Sequence, residues 1–283
     1  MATLQDTLRE RARALLSDGT VTSFLAWEAG RFENQTTPLV CLAPEDADRI
    51  VFDEHCVNTI AAYARDLKGR GRVGIAVRGC DGRAVNRMLQ DNQLTRDDVL
   101  LVGIPCPGMR DMNDEPLAKC EACAHPNPPL FDEMIGEPVA ETPQANRFAD
   151  VEAMAAKPRE ERQAFFDEAF EKCIRCYACR SVCPCCTCLS CFVDDRRVGW
   201  QGRETALAEN RFYLLTRAFH ISDRCIDCGE CERACPMDLP LMLINHKLIQ
   251  DMEGLFGEYE SGMTAENPDA LVNYRTDDIE EFM

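Results

Sequence analysis

The hydrophobic positions of the first 145 residues alternate between two periods. Leu4, Leu8 and Leu15 lie at helical spacing among charges and predict an amphipathic N-terminal helix. Val21 to Trp27 and Leu39 to Leu42 are short apolar runs that read as strands, and the stretch from Cys56 to Leu67 has its apolar positions at helical spacing. Val73 to Val77 (VGIAV) and Val99 to Ile104 (VLLVGI) are compact runs of the buried-strand type; between them lie Gly79-Cys80-Asp81-Gly82 and a helix from Arg83 to Gln90. Strand, loop, helix and strand in this order predict an α/β unit with a parallel pair. Functional loops of such sheets gather at the C-terminal ends of the strands, where Cys80 and Cys106 fall.

The pattern changes after residue 123. Residues 124–146 are rich in proline and polar residues and read as a linker or irregular surface segment. Charged helical patterns follow from Val151 to about Lys172, from Glu204 to Phe219, and from Leu239 to about Leu255. The segment after Glu258 is acidic, holds little to bury, and is expected to extend toward a partner or stay mobile. This divides the chain into an α/β domain (1–145), a helical domain (146–258) and an acidic C-terminal tail (259–283).

Composition narrows the function. A formal net charge of −18 over 283 residues would repel nucleic acid and anionic membrane surfaces. No segment approaches the roughly 20 apolar residues of a membrane span. The N-terminal stretch has no apolar signal core, so the expected location is cytoplasmic. There thiols stay reduced, and 18 cysteines point to metal rather than to disulfides.

Twelve of those cysteines lie between Cys173 and Cys235. Cys173-x2-Cys176-x2-Cys179-x3-Cys183-Pro184 is one ferredoxin-type motif, and Cys225-x2-Cys228-x2-Cys231-x3-Cys235-Pro236 is a second. Two-residue gaps let a tight turn wrap three thiolates around three corners of one cubane, and the fourth cysteine reaches the other cluster. Cluster one is thereby assigned Cys173, Cys176, Cys179 and Cys235; cluster two takes Cys225, Cys228, Cys231 and Cys183. Zinc is the alternative, but it prefers paired two-cysteine knuckles to four stepped cysteines ending in Cys-Pro. The 41 residues between Cys183 and Cys225 contain a long helical pattern. These flanks resemble the α-helical ferredoxin domains of succinate dehydrogenase and heterodisulfide reductase. The expected fold is therefore an α/β N-terminal domain followed by an α-helical ferredoxin-like domain with two 4Fe-4S clusters.

Cys80, Cys106, Cys120 and Cys123 form another four-thiol set, favoured as a third 4Fe-4S site over structural zinc or ordinary loop thiols. Cys185, Cys186, Cys188 and Cys191 either supply further ligands or line the first two clusters. Cys41 and Cys56 read as core residues. Arg78-Gly79-Cys80-Asp81-Gly82-Arg83 follows a strand and opens a helix; it is either a weak phosphate-cradling loop or a tight turn whose glycines supply positive φ. The four histidines, His55, His125, His220 and His246, lack paired ligand spacing, and no nucleophile–base arrangement is visible, so no catalytic residue is assigned.

Ala76-Val77-Arg78-Gly79-Cys80-Asp81, the strand end Val102-Gly103-Ile104-Pro105-Cys106, and the double motif with its Cys-Pro-x-Cys-x-Cys extension from Cys183 to Cys188 carry a resemblance. Over roughly residues 70–255 the chain resembles the iron–sulfur β-subunit family of deazaflavin-reducing hydrogenases and formate dehydrogenases. It is also similar to iron–sulfur subunits of sulfhydrogenases and anaerobic sulfite reductases. The resemblance implies a cytosolic complex of anaerobic energy metabolism. In it such a subunit passes electrons between a hydrogenase, formate dehydrogenase or flavoprotein and a heterodisulfide-reductase-like module. In the deazaflavin-hydrogenase relatives the cluster motifs precede the α/β domain, whereas here they follow it. Those relatives bind flavin, and no motif here secures FAD. The favoured expectation is a non-catalytic electron carrier; the alternative is a flavin-containing subunit reducing a deazaflavin or nicotinamide.

Overall fold

The computed structural model describes residues 3–121, 123–141, 146–194, 199, 201–257, 260–266 and 271. Helix α1 (Leu4–Ser17) starts at a reciprocal cap in which the Thr3 hydroxyl accepts from the Asp6 N–H and the Asp6 carboxylate accepts from the Thr3 N–H. It buries Leu8, Ala12 and Leu15 on one face. Strands β1 (Ser23–Ala29) and β2 (Thr36–Cys41) pair antiparallel. Beyond a short helix α2 (Ala64–Leu67) come β3 (Val73–Val77), α3 (Gly79–Gln90) and β4 (Val99–Gly103). After α4 (Ala118–Glu121), a two-residue strand β5 (Glu133–Met134) completes the sheet in the order β2-β1-β3-β4-β5. β1, β3, β4 and β5 are parallel to one another. β3 and β4 are buried along their whole length, as strands covered on both faces must be.

Three elements differ from the sequence expectation. Cys56 to Ile60 is not helical; the helical part begins as a 3-10 turn at Ala61–Tyr63. The carbonyls of Cys56 and Asn58 accept from the buried Arg78 guanidinium, and Asn58 O also accepts from Trp27 Nε1, so they are withheld from a helix ladder. Helix α3 starts at Gly79 rather than Arg83, and neither Gly79 nor Gly82 has positive φ, so the proposed glycine turn is the first turn of a helix. What requires glycine is close approach. A Cβ at Gly79 would stand 1.7 Å from His125 O, and one at Gly82 would stand 3.0 Å from the Pro128 and Pro129 side chains. The third difference is the 124–146 segment. It contains β5 and a clasp in which the Asn127 amide exchanges two hydrogen bonds with the Val139 backbone, at 2.7 and 2.9 Å.

The second half is helical: α5 (Ala149–Ala155), α6 (Arg159–Glu171), α7 (Ala178–Ser181), α8 (Leu207–His220), α9 (Glu230–Arg233) and α10 (Leu241–Phe256). Pro158 interrupts what reads in sequence as one helix from Val151 to Lys172. Phe170, Tyr213, Leu214, Leu239 and Leu241 form a core of their own. Cys183, Cys185, Ile221 and Ile226 belong instead to the core of the sheet domain. Most of the expected acidic tail lies outside the described residues, but its start packs on the body. Ser261 is 5% exposed, its carbonyl accepts from Arg83, and Asn86 Nδ2 donates to the Gly262 and Met263 carbonyls.

Candidate metal centres

The two ferredoxin motifs adopt the same backbone. Arg175 (φ 56°) and Tyr177 (φ 61°) flank Cys176, and Asp227 (φ 57°) and Gly229 (φ 67°) flank Cys228. Alternating left-handed residues with ordinary ones gives each Cys-x2-Cys-x2-Cys stretch the same tight coil. A one-turn helix then carries the third cysteine: Cys179 lies in α7 and Cys231 in α9. Non-glycine residues rarely hold this conformation, and Arg175 is kept there by Tyr177 Oη at 3.0 Å and by the Gly202 and Glu209 carbonyls.

Cys173, Cys176, Cys179 and Cys235 line one cavity, closed by Tyr177, Tyr213, Leu239 and Leu241. Cys183, from the first motif, lies within electrostatic reach of Cys225, Cys228 and Cys231 from the second. Cys80, Cys106, Cys120 and Cys123 line a further cavity of about 340 Å³, and Asp227 and Cys228 form part of its wall. The four residues of the Cys185–Cys191 run are spread apart. Cys185 is buried and donates to Arg224 O at 2.9 Å, Cys186 neighbours Cys183, Cys191 neighbours Arg180, and Cys188 is exposed. Cys41 and Cys56 are fully buried core residues. Among the described residues no three His, Cys, Asp or Glu side chains are grouped around a single metal ion.

One local feature recurs in all three sets. The backbone N–H two residues ahead donates to the thiol: Arg175 to Cys173, Asp227 to Cys225, Glu230 to Cys228, Gly108 to Cys106 and His125 to Cys123. Such amides stabilise a thiolate and lower its pKa. Burial opposes them and prevails, pushing all of these thiols up and holding Cys80 and Cys231 at about 12. Cys183 is the exception: hydrogen bonding with the neighbouring Cys185 and Cys186 thiols lowers its pKa.

Several residues at these centres carry no sequence signal. Lys119 bonds the buried Glu230 carboxylate and the Val57 carbonyl, beside Cys80 and Cys228. Arg78, stacked 4.5 Å over Trp27, pairs with Asp81 at 2.9 Å behind Cys80. Tyr213 Oη stands 3.4 Å from Cys179 Sγ, and Asn245 Nδ2 donates to Cys231 Sγ at 3.5 Å. His246 bridges Asp150 (2.7 Å) and Asp227 (2.9 Å).

Residues 168–239 match the family described as a 4Fe-4S dicluster domain. The "F420-dependent formate dehydrogenase subunit beta" of Methanocaldococcus jannaschii is 40% identical over 80 residues, 28% of this chain and 20% of that protein. The chain thus matches about one fifth of that relative's length. A solved structure titled "Xenon derivatization of the F420-reducing [NiFe] hydrogenase complex from Methanosarcina barkeri" aligns at 15% identity over 38% of this chain and 39% of that one. Its TM-score of 0.32 is too low to establish a shared fold. Four-thiol cavities with inward backbone amides fit the donor set of a 4Fe-4S cluster. This chain is an iron–sulfur protein of the electron-transfer type, with a 4Fe-4S dicluster domain over residues 168–239, and over 80 residues it is similar to an F420-dependent formate dehydrogenase subunit beta.

Proposed function

We propose that the chain is a non-catalytic electron-transfer subunit with three 4Fe-4S clusters, working in a cytoplasmic oxidoreductase complex of the formate dehydrogenase or F420-reducing hydrogenase kind. Cys173, Cys176, Cys179 and Cys235 would hold the first cluster, and Cys225, Cys228, Cys231 and Cys183 the second. Cys80, Cys106, Cys120 and Cys123 would hold the third. Bound clusters supply one-electron storage at potentials that the surrounding protein sets. The observation that carries the reading is the shared wall: Cys228 of the second set also lines the cavity of the third. With Cys179 of the first set beside Cys231 of the second, this supports a continuous series rather than isolated sites.

The protein's own residues shape the two ends of that series. At one end Cys176 is exposed beside Ile174, whose exposure is 53%, which supports a docking face for a redox partner. At the other, Cys123 is exposed. Between them, Lys119 and Arg233 share the buried Glu230 carboxylate at the boundary of the second and third sets. A heterodisulfide-reductase-like module and a hydrogenase, formate dehydrogenase or flavoprotein are the partners this arrangement would join.

Iron, acid-labile sulfide, zinc and flavin analysis of anaerobically purified protein tests the proposal. It expects about twelve irons and twelve sulfides per chain, falling to about eight in Cys106→Ser, with flavin absent. About eight irons in the unmodified chain would remove the third cluster. Stoichiometric flavin would turn the reading toward an enzyme reducing a deazaflavin or nicotinamide, and zinc without sulfide would end it.

A further inference from the structure

Helix α8 places Tyr213 and Arg217 one turn apart on its buried face, and α10 places Asn245 beside them from the other side. All three are nearly inaccessible, with exposures of 1%, 4% and 2%. Arg217 is surrounded by thiols: Cys179 of the first set, Cys231 and Cys183 of the second, and Cys186. Its Nη2 donates to the Cys179 carbonyl at 2.9 Å, while its Nε has no hydrogen-bond partner. Among the described residues no Asp or Glu pairs with it. A buried guanidinium without a carboxylate is costly unless other negative charge faces it. Here the only candidates for that charge are the thiolates, and with them whatever they ligate.

Lys119 provides the contrast. It occupies the equivalent place between the second and third sets, but there a buried carboxylate, Glu230, faces it and also pairs with Arg233. At the boundary between the first and second sets the positive side chain, Arg217, has no carboxylate partner among the described residues. Tyr213 and Asn245 add a matched pair of neutral donors. Tyr213 Oη reaches Sγ of Cys179, the third cysteine of motif one, and Asn245 Nδ2 reaches Sγ of Cys231, the third cysteine of motif two. Hydrogen bonds to ligand sulfur and nearby positive charge both favour the reduced cluster and raise its potential.

We propose that Arg217, Tyr213 and Asn245 set the potentials of the two ferredoxin-type clusters: Arg217 raises both, Tyr213 raises the first alone, and Asn245 raises the second alone. The inference rests on the ligand sets proposed above. EPR-monitored redox titration of the full chain tests it, with iron and sulfide measured on each sample. Arg217→Gln is expected to shift the reduction equilibrium of both clusters at least tenfold toward the oxidised form, about 59 mV for a one-electron couple. Arg217→Lys, which keeps the charge, should stay within about threefold of the unmodified protein. Tyr213→Phe should shift one signal by at least threefold and leave the other in place; Asn245→Leu should do the reverse.

Full iron content with all potentials unmoved would overturn the inference and leave the ligand assignment standing. Loss of cluster signals from the unmodified chain would instead remove the ligand assignment. Equal shifts in the glutamine and lysine variants would show that Arg217 acts by shape and overturn its charge role. Should Arg217→Gln fail to retain iron, the two single-cluster variants decide the matter: selective shifts support the proposal, and unchanged or indiscriminate ones overturn it.

Discussion

Arg78 closes the first half of the molecule. Its guanidinium stacks on Trp27, pairs with Asp81, and holds the Cys56 and Asn58 carbonyls, so one side chain joins β1, the 56–60 loop and the start of α3. Replacing it with leucine would leave Asp81, at 0% exposure, without its counter-charge. A loss of roughly 3–5 kcal/mol is expected, visible as a lowered denaturation midpoint. His246 supplies a second test. Desolvation pulls its pKa down, but the Asp227 and Asp150 carboxylates overcome this and hold it at about 9, while Asp227 falls to about 2. The raised His246 pKa gives stability that is complete below about 6.5 and is lost as pH rises through 9. The depressed Asp227 pKa gives stability present above about 3.8 and lost as pH falls toward 2. Unfolding midpoints should therefore decline between pH 7 and 9, and His246→Gln should flatten that decline. A profile unchanged by the substitution would refute the linkage. At this scale the cysteines were legible because their spacing is their signal. Arg78, Arg217 and His246 were not, since a buried charged residue looks like a surface one until its partners are known.

The repeated motif is the element where sequence and structure agree most closely and then diverge at one position. Both loops use a left-handed residue after the middle cysteine, but it is Tyr177 in the first and Gly229 in the second. The reason lies across the chain: a Cβ on Gly229 would come 2.7 Å from Lys119 Cβ, whereas Tyr177 packs on Tyr213 within the helical half. Gly229→Ala adds the left-handed penalty of about 1–2 kcal/mol and pushes Lys119 outward. The expected outcome is selective loss of iron from the Cys80 set, read as a fall from about twelve toward about eight irons per chain. Retention of all twelve would show that the contact can yield. Elements with long apolar runs, such as β3 and β4, were readable directly. The two residues of β5 carry no periodicity, and the Cys56–Leu67 pattern misled because its carbonyls are taken by side chains distant in sequence.

For the whole molecule, the boundary near residue 145 does not separate two independent cores. Cys183, Cys185, Ile221 and Ile226 pack into the sheet domain's core, and ion pairs Lys119–Glu230 and Arg224–Asp91 tie the halves. Cys173, Cys179 and Cys235 pack in the helical core together with Cys231, whereas Cys183 and Cys228 pack against the sheet core. A fragment of residues 146–283 is accordingly expected to hold fewer than about eight irons and to unfold at lower temperature than the full chain; eight irons with unchanged thermal stability would refute the shared core. The start of the tail ran against the sequence reading for a related reason. Ser261 and Gly262 are held by their backbone carbonyls, which no side-chain pattern announces. The shared wall at Cys228 also imposes an order of construction. The Cys80 set lies wholly within residues 80–123 and leaves the ribosome before the first ferredoxin cysteine at 173. N-terminal regions fold first during synthesis. On the ligand sets proposed above, iron for the second would have to arrive before the halves close over Cys225, Cys228 and Cys231, making maturation a race between metal delivery and docking. We predict that in stepwise reconstitution of the folded apoprotein the second cluster forms last, and its appearance first would reverse that order.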